Sequence, residues 1–307
     1  MKQMANSFLM IEPISFGFND QTAVNNYFQQ KDNPGNIDIQ GLALTEFKIF
    51  VEKLRSKGLD IIVVQDTLEP HTPDSIFPNN WISFHPDGRV AIYPMYAQNR
   101  RNERRNEILQ LLKEEGFSFL KILDYTSFEK QYHFLEGTGS IVIDHLNKIA
   151  YAALSERTNK ELFIYVCNDF DFKPVYFNTS QIVNGKKCPI YHTNVMMSIC
   201  DKYAVVCLDS IENVQERNNV INSIVKKGKE IIKISEYQML CFAGNILQVA
   251  NKEGDRFLVM SQSAFDSLTR YQINRLSSFN EIITATIPTI EKYGGGSVRC
   301  MMAEIFN

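Results

Sequence analysis

The chain has 307 residues, 44% of them apolar, and a formal net charge of -3, a composition with ample length for a large globular core. The charge argues against a nucleic-acid partner, and the basic run at 99–105 is diluted by Glu103 and followed by Glu107. No apolar run reaches membrane length, the first ten residues lack a signal peptide's apolar stretch, and six cysteines without C-x-x-C or zinc-like spacing predict reduced thiols in a cytoplasmic protein.

In chain order, F-L-M-I-E (8–12) reads as a strand, 43–57 as a helix and I-I-V-V-Q (61–65) as a second strand. W-I-S-F-H (81–85), a turn at Pro86-Asp87-Gly88, R-V-A-I-Y-P-M (89–95), a helix at 102–115 and F-L-K-I-L (119–123) follow. The next group is S-I-V-I-D (140–144), I-A-Y-A-A-L (149–154), a helix near 159–168 and V-Y-F-N (175–178). V-M-M-S-I-C (195–200) turns at Asp201-Lys202 into Y-A-V-V-C-L (203–208), a helix at 213–227 and E-I-I-K-I (230–234). Last come I-L-Q-V-A (246–250), R-F-L-V-M-S (256–261), a helix at 264–276, I-I-T-A-T-I (282–287) and M-M-A-E-I-F (301–306).

These are four strand–strand–helix–strand units at a spacing of roughly fifty residues, the signature of a repeat or propeller. Pairing M-M-A-E-I-F with F-L-M-I-E supplies a fifth and leaves few bare sheet edges. The expected fold is therefore α/β, a five-bladed α/β propeller forming a single domain over 1–307.

Before the first strand of each unit stand F-P-N-N (77–80), L-E-G-T-G (135–139), Y-H-T-N (191–194), F-A-G-N (242–245) and V-R-C (298–300). In a ring these five joints converge on the axis and place Asn80, Glu136, His192, Asn194, Asn245 and Cys300 around one cavity. Gly294, Gly295 and Gly296 allow close backbone approach beside Cys300. A thiol, an imidazole and a carboxylate supply nucleophile, acid/base and orienting group. Taken singly, each of these residues reads as structural; their equivalent positions in the unit argue for a site. No histidine pair carries metal-ligand spacing, so neither metal nor other cofactor is expected.

F-P-N-N, L-E-G-T-G, L-S-E-R-T, Y-H-T-N and G-G-G-S-V-R-C resemble, in order and over nearly the whole chain, the motifs of the guanidino-group-modifying enzymes. That superfamily includes arginine deiminases, dimethylarginine dimethylaminohydrolases, succinylarginine dihydrolases and amidinotransferases, with a five-bladed ββαβ propeller, the pentein fold. F-G-F-N, P-D-S-I-F-P-N-N-W, Y-P-M-Y-A-Q-N-R-R-N-E-R-R and the C-terminal run are most similar to the citrulline-utilisation, amidinotransferase-like hydrolases.

The resemblance implies Cys300 as nucleophile, His192 as acid/base and Glu136 as its partner. It implies Arg157 as the anchor of the substrate's α-carboxylate, with Arg100 or Arg101 as a second contact, and Asp74 as a residue shaping the pocket. The F-G-F-N-D loop (16–20) is a candidate for holding the α-amine. Where arginine-processing relatives place two carboxylates against the guanidinium, this chain has Asn80 and Asn194. Asparagine supplies donor and acceptor but no charge, which favours a neutral ureido group. The expected reaction is hydrolysis of citrulline to ornithine, carbon dioxide and ammonia through a covalent Cys300 intermediate. The alternatives are arginine deimination, dimethylarginine hydrolysis, amidino transfer, or a silent ligand-binding propeller. The partner is a small amino acid, with a homo-oligomer left open.

Overall fold

The structure is a computed structural model that describes residues 2–31 and 37–306. Among the described residues five separate three-stranded sheets share one strand order, an antiparallel pair followed by a parallel partner. Four of them run locally along the chain: Ile82–Phe84, Arg89–Ile92 and Lys121–Asp124; Val142–Asp144, Ile149–Leu154 and Lys173–Asn178; Met197–Ile199, Tyr203–Val206 and Glu230–Lys233; Leu247–Ala250, Arg256–Ser261 and Glu281–Ala285. The fifth joins the two ends of the sequence. Ser7–Glu12 pairs antiparallel with Ala303–Ile305, in the register Ser7 opposite Ile305, and parallel with Asp60–Gln65.

Each parallel connection carries helix, because a parallel partner needs a long crossover. Ile39–Ser56 is capped by the Asp38 side chain on Gly41 N–H, and it buries Ala43, Phe47, Phe50, Val51 and Leu54 on one face. Burying a side chain of the size of Phe47 or Leu54 is worth about 1.5–3 kcal/mol. Lys160–Asp169 and Val214–Val225 do the same in their units, capped by Asn159 and Asn213.

Three elements differ from the sequence expectation. The helix expected at 264–276 is two helices, Gln262–Ser267 and Arg270–Ser277, because Thr269 and Gln272 form a capping box that starts the chain afresh. The helix expected at 102–115 is a 3-10 turn, Asn99–Glu103, followed by Asn106–Glu114; the turn buries Arg100 and Glu103 rather than an apolar stripe. A hairpin, Gln181–Val183 with Lys186–Cys188, turns at Asn184-Gly185, both at positive φ, and was not expected from the periodicity.

The core is divided among the spaces between successive sheets. One apolar cluster joins the sheets of residues 142–178, 197–233 and 247–285; another joins the last of these to the end-to-end sheet. Two more link the end-to-end sheet to residues 82–112 and the latter to residues 150–172. Every sheet is thereby packed against its successor, the last against the first.

Candidate active site

The helix Pro288–Gly294 starts with Pro288 at a first-turn position, and the Glu46 carboxylate accepts from Thr289 and Ile290 N–H. It ends at Gly295, whose left-handed φ of 61° closes the helix. A side chain there would begin 2.6 Å from Gln29 Cγ and 2.7 Å from Asn26 Nδ2. The glycine run is thus the end of a helix and the point where a second segment crosses it.

That segment begins at the short helix Asp20–Ala23 and lies across the glycines. Asn26 Nδ2 donates to the carbonyls of Gly294 and Gly295, and Gln29 Nε2 to that of Tyr293. From the other side the Tyr191 hydroxyl donates to Gly295 O at 2.5 Å. The turn after the glycines is fixed by Ser297, whose Oγ donates to Glu291 Oε1 at 2.6 Å.

Cys300 and His192 line one narrow hollow together with Asp74, Asn80, Arg100 and Arg157. Cys300 is 2% exposed. It accepts from Asn245 Nδ2 at 3.2 Å and from Asn194 Nδ2 at 3.5 Å. Asn245 also accepts from Arg299 N–H, so one amide positions both the sulfur and the backbone before it.

His192 Nε2 meets Glu136 Oε2 at 2.7 Å. Burial would push the Glu136 carboxyl up, but the Arg157 guanidinium and the His192 hydrogen bond outweigh it and hold the group well below the usual carboxylate range. Burial also pulls His192 down to about 4, despite Glu136. At neutral pH the pair is a carboxylate accepting from a neutral imidazole, which leaves Nδ1 as the basic nitrogen.

Gly139 packs against that nitrogen. A Cβ there would lie 2.8 Å from His192 Nδ1 and 2.5 Å from Asn80 Nδ2. Gly139→Ala is therefore expected to displace both groups and cut kcat by about 10²-fold with little change in Tm. Unaltered kcat in steady-state assays would show that the ring need not stay where it is.

The arginines divide clearly. Arg100 is buried in the hollow, bidentate to Glu103 and donating from Nη1 to Asn80 Oδ1 at 2.8 Å. Arg101 is not brought there: its Nε donates to Met95 O, and it pairs with Glu129 at 3.3 Å. Arg157 reaches the hollow, but its Nε and Nη2 are engaged by Asn25 Oδ1 and Thr22 O, with Nη1 3.4 Å from Glu136. Each buried arginine retains an Nη1 hydrogen for a ligand.

Asp74, expected to shape the pocket, lines the hollow. Its Oδ2 accepts from Asn19 and Thr22, while Oδ1 is buried without a partner. Burial raises its pKa, and Arg100 opposes the rise. Asn80 Nδ2 is the second buried polar atom of the hollow without a partner. An open acceptor and an open donor thus belong to residues that line the same hollow as Cys300.

Glu103, Glu291 and Tyr191 escaped the sequence reading. Tyr191 stands inside the motif Y-H-T-N, and Glu103 lies three residues beyond Arg100, a spacing that could have flagged a pair. Among the described residues no cluster of three His, Cys, Asp or Glu has metal-site geometry, all six cysteines are free, and no helix is long and apolar enough to cross a membrane.

Among solved structures, the arginine dihydrolase ArgZ of the ornithine-ammonia cycle in cyanobacteria superposes with a TM-score of 0.72 at 17% identity. The match covers 98% of this chain and 40% of that protein, so the chain spans about two fifths of it; the N-terminal domain of ArgZ alone is covered to 98%. AgrE, solved with L-arginine, gives 0.71 at 14% identity over 97% of this chain and 40% of its own. A dimethylarginine dimethylaminohydrolase, solved as an adduct with S-methyl-L-thiocitrulline, gives 0.67 at 16% identity, covering 98% and 100%. No curated protein matches. The family model of eukaryotic N,N dimethylarginine dimethylhydrolase matches residues 12–307. With its fold shared by these guanidino-modifying enzymes and its sequence matched from residue 12 onward, the chain belongs to the N,N dimethylarginine dimethylhydrolase family.

Proposed function

We propose that the chain is a cysteine-dependent hydrolase of the terminal C–N group of an arginine-type free amino acid, with guanidino compounds as the first substrate class. The observation that carries this reading is one hollow holding the Cys300 thiol, the Glu136-oriented His192 and the open oxygen of Asp74. We also read the five sheets as the blades of a five-bladed α/β propeller and the chain as one catalytic domain, supported by the closed succession of apolar clusters.

In this scheme His192 Nδ1 takes the Cys300 proton and Sγ bonds to the guanidino carbon. The proton then passes to the departing amine as its C–N bond breaks. Water next adds to the same carbon, the C–S bond breaks with its electron pair returning to Sγ, and a ureido amino acid leaves. Glu136 keeps Nδ1 basic by accepting from Nε2, and it stabilises the imidazolium when it forms. Asp74 Oδ1 accepts from a cationic end of the substrate, and Arg100 and Arg157 balance its carboxylate.

The relatives named above support guanidino substrates better than the citrulline favoured from sequence. One observation keeps citrulline as a second reading: the sulfur is flanked by the neutral amides of Asn194 and Asn245, with no carboxylate bonded to it among the described residues. Incubation with arginine, dimethylarginine and citrulline, followed by amino-acid and amine analysis, separates the two. The first reading expects citrulline with ammonia or dimethylamine. Ornithine from citrulline, with the guanidino compounds inert, would reverse the order, and no turnover of any would remove both.

A further inference from the structure

A second hollow, of about 40 Å³, shares no lining residue with the first. It reaches the sulfur's other neighbours: Asn194, 3.5 Å from Sγ, and Arg299, next to Cys300 in the chain. Its walls set the polar groups of Ser198, His145, Gln248 and Glu304 among apolar ones such as Met197 and Ile246. Ser198 Oγ and His145 Nδ1 sit on residues only 7% and 6% exposed, and neither has a hydrogen-bond partner among the described residues.

Buried polar groups are rarely left unmatched, because an unmet donor or acceptor forfeits its hydration. Ordered water satisfies them where the space is polar and large enough. At roughly 10–15 Å³ for each water, this hollow holds about three or four. We infer that it stores the water that hydrolyses the covalent intermediate on Cys300, an inference that rests on the hydrolase reading above.

The front of the site supports this assignment. Asn26, Gln29 and Tyr191 hold the glycine turn across it, and the body of a bound amino acid occupies what remains. Water for the second half-reaction comes from the rear, beside Thr138, which lines the second hollow and directly precedes the Gly139 that packs on the His192 ring. The water passes from there into the front hollow that Cys300 and His192 line. Its oxygen bonds to the amidino carbon held on Sγ, His192 Nδ1 takes its proton, and the C–S bond breaks with its pair returning to Sγ.

Ser198→Leu fills the hollow with hydrocarbon, and Ser198→Val fills it partly. Because only the second half-reaction needs this water, Ser198→Leu is expected to lower kcat and KM together by about tenfold and leave kcat/KM unchanged. Intact-mass spectrometry of enzyme quenched during turnover should show the Cys300 adduct accumulating, with Ser198→Val intermediate. Ser198→Val carries the test alone if the leucine variant does not fold. A fall in kcat/KM without an adduct, or kinetics unchanged in both variants, overturns the water-store assignment while leaving the hydrolase reading intact. Absence of turnover and of any adduct in the unaltered protein defeats both.

Discussion

Cys300→Ala is expected to lower turnover by more than about 10⁴-fold, the scale on which loss of a nucleophile exceeds loss of a positioning group. The fold should survive. The side chain is small, and alanine occupies nearly the same space among Val298, Met301 and Met302 in the surrounding core. Asn194 and Asn245 lose an acceptor, but Asn245 keeps its bonds to Asn194 O and Arg299 N–H. The destabilisation should stay near 1–2 kcal/mol. Paired activity and thermal-unfolding measurements check this, and a folded variant retaining more than about one per cent of turnover would end the covalent scheme.

Acid should destabilise the protein steeply, through three buried histidines. Burial lowers His192 to about 4 and His145 to about 3, and it holds His85 well below its ordinary value, with the neighbouring His145 adding to the effect. In the unfolded chain all three titrate near 6.5. Between those limits the unfolded state binds more protons, so stability is complete above about pH 6.5 and drains away as pH falls toward 4 and 3. Each such histidine contributes about 1.4 kcal/mol per pH unit, or about 4 kcal/mol per unit for three near pH 5. Glu136 acts with the same sign lower down, since its depressed carboxylate stabilises above about 4.5 and is lost on protonation. Urea midpoints at pH 7.5, 6 and 5 measure the slope. His145→Phe, placed among Phe172 and Phe306, should reduce it by roughly a third. A midpoint that does not move between pH 7.5 and 5 would mean that these rings are not neutral and buried.

The repeating units were legible because strand alternation and helix spacing recur with the same order in every sheet, even where each segment alone is ambiguous. The joints before the first strands followed from that order, and it is these joints that put Glu136, His192, Asn194, Asn245 and Cys300 within reach of one another. Arg100 and Arg101 could not be separated from sequence. Adjacent residues on a 3-10 turn point in different directions, and which one turns inward depends on Glu103 and Asn80 waiting to receive it. Weighing Asn80 and Asn194 alone as a sign of a neutral ureido substrate fell short for a related reason. The identity of a residue at one position says nothing of a carboxylate delivered six residues earlier, whose open oxygen emerges only after Asn19 and Thr22 have taken the other. The segment crossing the glycines carries no periodicity, because it is held by amide side chains on backbone carbonyls rather than by an apolar face.

Because Ala303–Ile305 completes the sheet begun by Ser7–Glu12, Cys300 is seated beside a strand whose partner lies far back in the chain. Glu136 and His192 both precede Cys300, and they lie on other sheets' entry turns than the one it approaches. Pairing of these two distant strands therefore couples closure of that sheet to the meeting of Cys300 and His192 in one hollow.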